Sequence, residues 1–172
     1  MTDKKTKTLV MTAMMAAIIF IAIYMIKIPN PVTGGYSHMG DCMIFLAVLI
    51  LGRKNGAIAA GLGGAMSDLL AGAAVWILPT MIIKFCMAFI MGTIIMKNPK
   101  DYKLQLVGAV TGGVFQIAGY TVAKIFLIGV TAAFASTPNI CIQTTVGVVI
   151  FMLLSKVLEG TIEKLRGSEA VA

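Results

Sequence analysis

Long apolar stretches separated by short polar segments are the feature that most constrains how this chain can fold. The first stretch covers about residues 8–28, enough for one helix to cross the hydrocarbon core of a bilayer. With 172 residues, the chain has room for six crossings and almost no extramembrane domain. We therefore expect residues 1–172 to form one all-α domain, an integral membrane bundle with six transmembrane helices at about 8–28, 40–52, 56–73, 79–96, 104–128 and 138–157.

The composition supports a membrane protein and leaves no room for a nucleotide-binding or catalytic domain. Hydrophobic residues make up 59% of the chain and charged residues 12%, against about 45–50% and about 25% in soluble domains. The basic start followed by an apolar run resembles a signal peptide, but no small-residue cleavage site follows it. We interpret this run as a retained first helix within the lipid bilayer.

The positive charges predict the orientation of the bundle. The net charge is +7, yet the basic residues are scattered between apolar segments, so no nucleic-acid partner is expected. Of the 14 Lys and Arg residues, all but Lys27, Lys84 and Lys124 fall in the termini or in alternate connections. Because positive charge collects on the cytoplasmic side, both termini should be cytoplasmic.

A polar loop between the first two predicted helices has the composition of a lid. Gly34 and Gly35 give its backbone freedom, and Tyr36 and His38, the only histidine, can stack on or hydrogen-bond a small ring. Asp41 follows Gly40 and is interpreted as the N-cap of the second helix rather than as a ligand group. One histidine supports no metal site.

Polar residues inside the apolar stretches indicate a binding pocket, because burying each of them costs free energy unless it is paired or faces water. Four-residue spacing places three of them on one helix face and two on another. Together with residues on the third and fourth predicted helices, they converge on the outer half of the membrane. The predicted pocket residues are Asp68, Trp76, Lys84, Gln116, Tyr120, Lys124, Asn139 and Gln143.

Simpler interpretations of the same residues remain open. Asp68 and Lys84 could form a structural ion pair, and Lys124 and Asn139 could face lipid headgroups. Trp76 could belong to an interfacial aromatic belt. Pro79, like Pro138, is expected in the first turn of a helix.

The remaining patterns bear on partners and chemistry. Ala13 and Ala17 lie one turn apart on the cytoplasmic half of the first helix, where a small-residue face could receive another protein. The three cysteines lack metal-binding spacing. The sequence contains no catalytic constellation and no phosphate-binding GxxxxGK[ST] motif, so we expect neither an enzyme nor a cofactor.

Four segments of the chain resemble a known family of membrane proteins. They are residues 35–41 (GYSHMGD), 51–57 (LGRKNGA), 67–72 (SDLLAG) and 76–85. They look like the substrate-binding S components of energy-coupling factor (ECF) vitamin transporters, nearest to the riboflavin, hydroxymethylpyrimidine and pyridoxine carriers. The likeness spans about residues 8–160.

The resemblance implies a six-helix bundle in a prokaryotic plasma membrane that binds one small water-soluble vitamin from outside, under loops that follow helices 1, 3 and 5. It also implies docking onto a transmembrane T component with two cytoplasmic ATPases, which hydrolyse the ATP. In that family an AxxxA face on helix 1 makes much of the contact, and Ala13 and Ala17 occupy the matching place.

The polar pocket residues suggest the kind of vitamin. Side chains such as Gln116, Asn139 and Gln143 carry both donors and acceptors, which suits a neutral heteroaromatic ring with hydroxyl or amino groups. Tyr36, Trp76 or Tyr120 could stack on its face. These features favour hydroxymethylpyrimidine or pyridoxine over riboflavin. The alternative, a stand-alone ion-coupled carrier or channel, would need polar groups through the inner half as well.

Overall fold

Long helices account for most of the computed structural model, which describes residues 2–25, 27–29, 36–162 and 165. Within that part of the chain, five helices are long and apolar enough to cross a membrane by length and composition. They are α1 (Thr2–Tyr24), α2 (Gly40–Leu70), α3 (Ala74–Ile95), α4 (Tyr102–Ile128) and α5 (Val130–Val157). A short antiparallel hairpin of β1 (Lys27–Pro29) and β2 (Tyr36–His38) lies between α1 and α2.

The longest helix, α2, reverses direction at Gly52. Gly52 has φ 75° and ψ −177°, a conformation almost restricted to glycine. A Cβ atom built on Gly56 would lie 2.6 Å from the Cα of Val48, whereas residues eight apart in a straight helix are about 12 Å apart. The parts 40–51 and 53–70 therefore pack side by side, with a tighter connection than the loop predicted at 53–55.

Because an L-residue is strained at the Gly52 angles, Gly52→Ala is expected to lower the free energy of unfolding by about 1–3 kcal/mol. Thermal or chemical unfolding of the detergent-solubilised chain measures the change. Gly160→Ala is the matched control, since a Cβ there meets open space and the backbone is not left-handed. Equal stability of the two variants would contradict the reversal at Gly52.

Several helix ends differ from the predicted ones. α1 begins before residue 8 and ends at Tyr24, ahead of the β1 strand. α3 and α5 begin upstream of Pro79 and Pro138, which therefore lie inside helices rather than in first turns. The first-turn expectation was wrong because the apolar residues before each proline also need their backbone groups paired in hydrocarbon, and a helix that starts upstream pairs them.

The core lies beneath the β hairpin and between the helices. Phe45 of α2 and Phe151 of α5 are fully buried, with ring centroids 5.5 Å apart, and Met87 and Met91 of α3 pack in the same cluster. Close helix approach relies on small residues, as at Gly112 of α4, where a Cβ would lie 2.7 Å from the Met87 carbonyl oxygen.

The chain direction distributes charge unequally between the two ends of the bundle. We call the end with the β hairpin the hairpin end. It also holds the C-terminal ends of α2 and α4 and the starts of α3 and α5. The opposite, basic end holds the start of α1, the turn at Gly52, the α3–α4 connection and the end of α5. Its described basic residues are Lys4, Lys5, Lys7, Arg53, Lys54, Lys97, Lys100, Lys103 and Lys156.

Candidate ligand-binding site

A cavity of about 700 Å³ lies at the hairpin end of the bundle. This volume falls within the range of about 300–1,000 Å³ that is typical of small-molecule sites. Residues from the hairpin and from every long helix contribute to its wall. The lining residues are Ile23, His38, Ser67, Asp68, Ala73, Trp76, Thr80, Lys84, Tyr120, Lys124, Ile128, Ala132, Ala135, Ser136, Asn139, Ile140 and Gln143.

The floor of the cavity is a buried polar cluster of Asp41, Lys84, Gln116, Gln143 and Thr144. Asp41 and Lys84 are fully buried and form an ion pair, with 2.5 Å between Oδ1 and Nζ. Lys84 Nζ also donates to the Gln116 side-chain oxygen. Gln116 Nε2 donates to Asp41 Oδ2 and to Thr144 Oγ1, each at 2.7 Å, and Gln143 Nε2 donates to Asp41 Oδ2 at 3.1 Å.

Two glycines on α4 and α5 make room for this cluster. A Cβ on Gly147 would lie 2.7 Å from the Asp41 Cβ, and a Cβ on Gly113 would collide with Thr144. α5 can therefore lie close against the start of α2 and against the middle of α4. The cluster joins α2, α3, α4 and α5, because each of these helices supplies at least one of its side chains.

Aromatic and hydroxyl groups form the wall above the floor. The rings of Trp76 and Tyr120 have centroids 6.4 Å apart, and Lys84 Nζ lies 5.6 Å from the Tyr120 centroid. Tyr120 donates its hydroxyl to Thr80 Oγ1 at 3.2 Å, and Lys124 donates to Ser136 Oγ at 2.8 Å. The site thus offers flat aromatic surfaces next to hydrogen-bonding groups, which suits a small polar ring.

Most of the predicted pocket residues are brought together. The cavity is lined by His38, Asp68, Trp76, Lys84, Tyr120, Lys124, Asn139 and Gln143. Gln116 belongs to the floor cluster but does not line the cavity, and its amide bonds to Lys84, Asp41 and Thr144. The Tyr36 side chain and the predicted lid residues Gly34 and Gly35 lie outside the described residues. Ligand contact by any of these side chains stays a prediction.

Two interpretations of the acidic residues were wrong. Asp41 is not the N-cap of α2, since Met39 occupies that position and Asp41 lies in the first turn with its carboxylate turned into the bundle. Lys84 forms its salt bridge with Asp41 rather than with Asp68. An acidic residue that starts an otherwise apolar helix, with a lysine deep in another, was the signal for this pair.

The sequence analysis missed the hydroxyl residues of the cavity, Ser67, Thr80 and Ser136. Serine and threonine are common in transmembrane helices, where they often bond to their own backbone, as Ser67 does to the Gly64 carbonyl at 2.9 Å. Their residue type alone therefore gave no sign of a pocket. Among the described residues, no three His, Cys, Asp or Glu side chains are grouped so that they could hold a metal ion.

The predicted partner-binding alanines lie away from the cavity. Ala13 and Ala17 are both exposed on α1, and they belong to its half nearer the basic end. The α1 contacts with α2 instead use other faces of the helix, including Ala16 and Ile19, which approach Gly63. Packing within the described chain therefore leaves the alanine face exposed.

Apolar helices around a polar cavity at one end of the bundle define a membrane-embedded protein that binds a small molecule. The family model described as the ECF-type riboflavin transporter S component matches residues 3–160. The chain belongs to this family of substrate-binding transport subunits, and it is a multi-pass membrane protein rather than an enzyme.

Two individual proteins are also similar to the chain. An uncharacterized protein in the gap 3′ region of Pyrococcus woesei is 32% identical over 130 residues, which cover 76% of this chain and 86% of that protein. A crystal structure of the S-component for biotin from an ECF-type ABC transporter superposes with a TM-score of 0.64. Its identity is 23%, with 91% of this chain and 94% of that chain covered, so the likeness supports the fold.

Proposed function

We propose that this chain is the high-affinity substrate-binding subunit of an ECF-type importer for a neutral, ring-containing vitamin or vitamin precursor. The observation that carries the proposal is the cavity at the hairpin end, where Trp76 and Tyr120 stand above a hydrogen-bonding floor. Hydroxymethylpyrimidine and pyridoxine match its donors and acceptors. The volume of about 700 Å³ also admits the larger ring system of riboflavin, which the family description names.

The proposed arrangement in the membrane follows from the two ends of the bundle. The reversal at Gly52 supports counting 40–51 and 53–70 as separate segments, which gives six crossings and places both termini on one side. Because basic residues concentrate at the end opposite the cavity, that end is proposed to be cytoplasmic. The cavity then faces the outside of a prokaryotic plasma membrane, and the loop with Gly34, Gly35 and Tyr36 is proposed to act as its lid.

The proposed partners are a transmembrane T component and two cytoplasmic ATPases. The exposed alanine face of α1 supports a docking role, because Ala13 and Ala17 would let a partner helix approach closely. The sequence has no phosphate-binding GxxxxGK[ST] motif, so ATP hydrolysis is assigned to the partners.

The direct test is to identify the small molecule that copurifies with the detergent-solubilised chain by mass spectrometry, and then to titrate the apo chain by calorimetry. Hydroxymethylpyrimidine, pyridoxine and riboflavin are the ligands to compare. Tight binding of one of them supports the proposal, whereas binding of none contradicts it. Uptake into vesicles by the chain alone, without ATPases, would support a stand-alone carrier instead.

The ring-binding wall gives a separate prediction. Trp76→Ala is expected to weaken binding of the identified vitamin about tenfold, because a ring contact contributes about 0.5–1.5 kcal/mol beyond the area it buries. Calorimetry measures the change. Phe126→Ala is the matched control, since Phe126 is 83% exposed on α4 and does not line the cavity. Equal affinities of the two variants would remove Trp76 from the site.

A further inference from the structure

We infer that Asp41, which does not line the cavity, restricts this site to uncharged ligands by neutralising Lys84 and holding it in place. The inference rests on the proposed function of the cavity as the vitamin site. Asp41 acts here as a positioning residue, because it bonds to Lys84 and Gln143, which line the cavity, without lining the cavity itself.

The geometry fixes Lys84 at the border between the cluster and the cavity. Its ammonium has three donors, and two of them bond to Asp41 Oδ1 and to the Gln116 oxygen. The Lys84 side chain is fully buried and also lines the cavity, so we assign its third N–H to a ligand acceptor. Asp41 thereby determines both where this donor lies and that it brings no net charge.

The same carboxylate orients a second group of the floor. Gln143 lines the cavity and gives its Nε2 to Asp41 Oδ2, which leaves its side-chain oxygen to accept a hydrogen bond from a ligand. A ligand that satisfies both groups presents an acceptor beside a donor. Neutral rings with a carbonyl next to an N–H, or with a hydroxyl or amino group, have such an edge.

The charges around the cavity also favour an uncharged ligand. A lysine in a site of low dielectric would strongly attract an anion if it stood alone, but Asp41 lies 2.5 Å from it and cancels that field. The other lysine and carboxylate in the wall, Lys124 and Asp68, are opposite in sign. Among the described residues at the site, the two lysines Lys84 and Lys124 are therefore balanced by the two carboxylates Asp41 and Asp68.

Nicotinamide and nicotinate form a suitable pair of probes, because these single rings differ in charge at one substituent. Their affinities for the detergent-solubilised chain are measured at pH 8 by thermal shift and calorimetry. We expect Asp41→Asn to raise the affinity for nicotinate about tenfold or more, with nicotinamide changed much less, because the Lys84 charge is no longer balanced. The double variant Asp41→Asn with Lys84→Met should lose this gain.

Glu159→Gln is the matched control, since it removes one negative charge at the basic end, where Glu159 accepts from the Tyr102 hydroxyl at 3.4 Å. It should leave both affinities unchanged. A nicotinate affinity in Asp41→Asn equal to that of the unmodified chain overturns the inference. If Asp41→Asn does not fold, the unmodified chain decides, because tighter binding of nicotinate than of nicotinamide would also overturn it.

The outcome for the vitamin is separate from this result. If the unmodified chain binds none of the three vitamins, the proposed function fails, while the nicotinate gain in Asp41→Asn still decides whether Asp41 controls ligand charge. If a vitamin binds and the gain is absent, the function stands and the role of Asp41 falls.

Discussion

Replacing Lys84 with methionine is expected to lower the free energy of unfolding by about 3–5 kcal/mol, the typical cost of breaking a buried ion pair by removing one partner. Methionine fills a similar volume, so the loss comes from the Asp41 carboxylate, which remains buried without its cation. Gln116 and Gln143 donate to that carboxylate but carry no charge to balance it. Chemical unfolding of the detergent-solubilised chain measures the change.

The double variant Lys84→Met with Asp41→Asn provides the control. Removing both charges is expected to restore most of the lost stability, since replacing a whole buried pair is often neutral. Lys124→Met should cost about 1 kcal/mol or less, because Lys124 is only partly buried and bonds to a hydroxyl group. If the single and double Lys84 variants were equally unstable, the ion pair would not be the source of the loss.

Helical spacing predicted much of the cavity because a four-residue repeat determines which side chains share a helix face. It could not determine how deep each one lies. On α4, Tyr120 and Lys124 reach the cavity, whereas Gln116 is one turn further in, where Gly113 brings α4 against Thr144. That close approach depends on a neighbouring helix. The spacing within α4 alone therefore could not show that Gln116 lies behind the cavity lining.

The ion pair shows a second limit of sequence analysis. The sequence analysis considered only Asp68 as an ion-pair partner for Lys84, since Asp68 is nearer in the chain than Asp41, and assigned Asp41 to a helix cap. The pair forms with Asp41 because Gly147 allows α5 to press against the start of α2, which turns the carboxylate into the bundle. Which carboxylate pairs with Lys84 is thus determined by contacts among more than two helices. An acidic residue at the start of a helix, taken alone, predicts only an N-cap.

The helix pattern was predicted better than its connections. Hydropathy located the apolar segments, since a bilayer demands about 20 apolar residues for each crossing. Hydropathy did not predict the tight reversal at Gly52 or the helical turns before Pro79 and Pro138. Hydropathy averages over many residues, whereas these features depend on the backbone angles of single residues.

The second large effect is expected from substitutions on the exposed face of α1 that contains Ala13 and Ala17. Replacing Ala13 and Ala17 together with leucine is expected to abolish association with the proposed T component and ATPases, and with it ATP-dependent uptake. Bulky side chains prevent a partner helix from approaching a small-residue face. Both alanines are exposed and neither lines the cavity, so the isolated variant should keep its vitamin affinity and its fold.

Copurification with the partner subunits and uptake into cells test this prediction, and calorimetry on the isolated chain verifies that the ligand site is intact. Ala118→Leu on α4 is the matched control, because Ala118 is also an exposed alanine on a membrane helix and does not line the cavity. This control should leave assembly and uptake unchanged, since only the α1 face is proposed to receive a partner. If the double leucine variant still assembled and transported, α1 would not be the docking helix, and the partner-binding surface would have to lie on another exposed face.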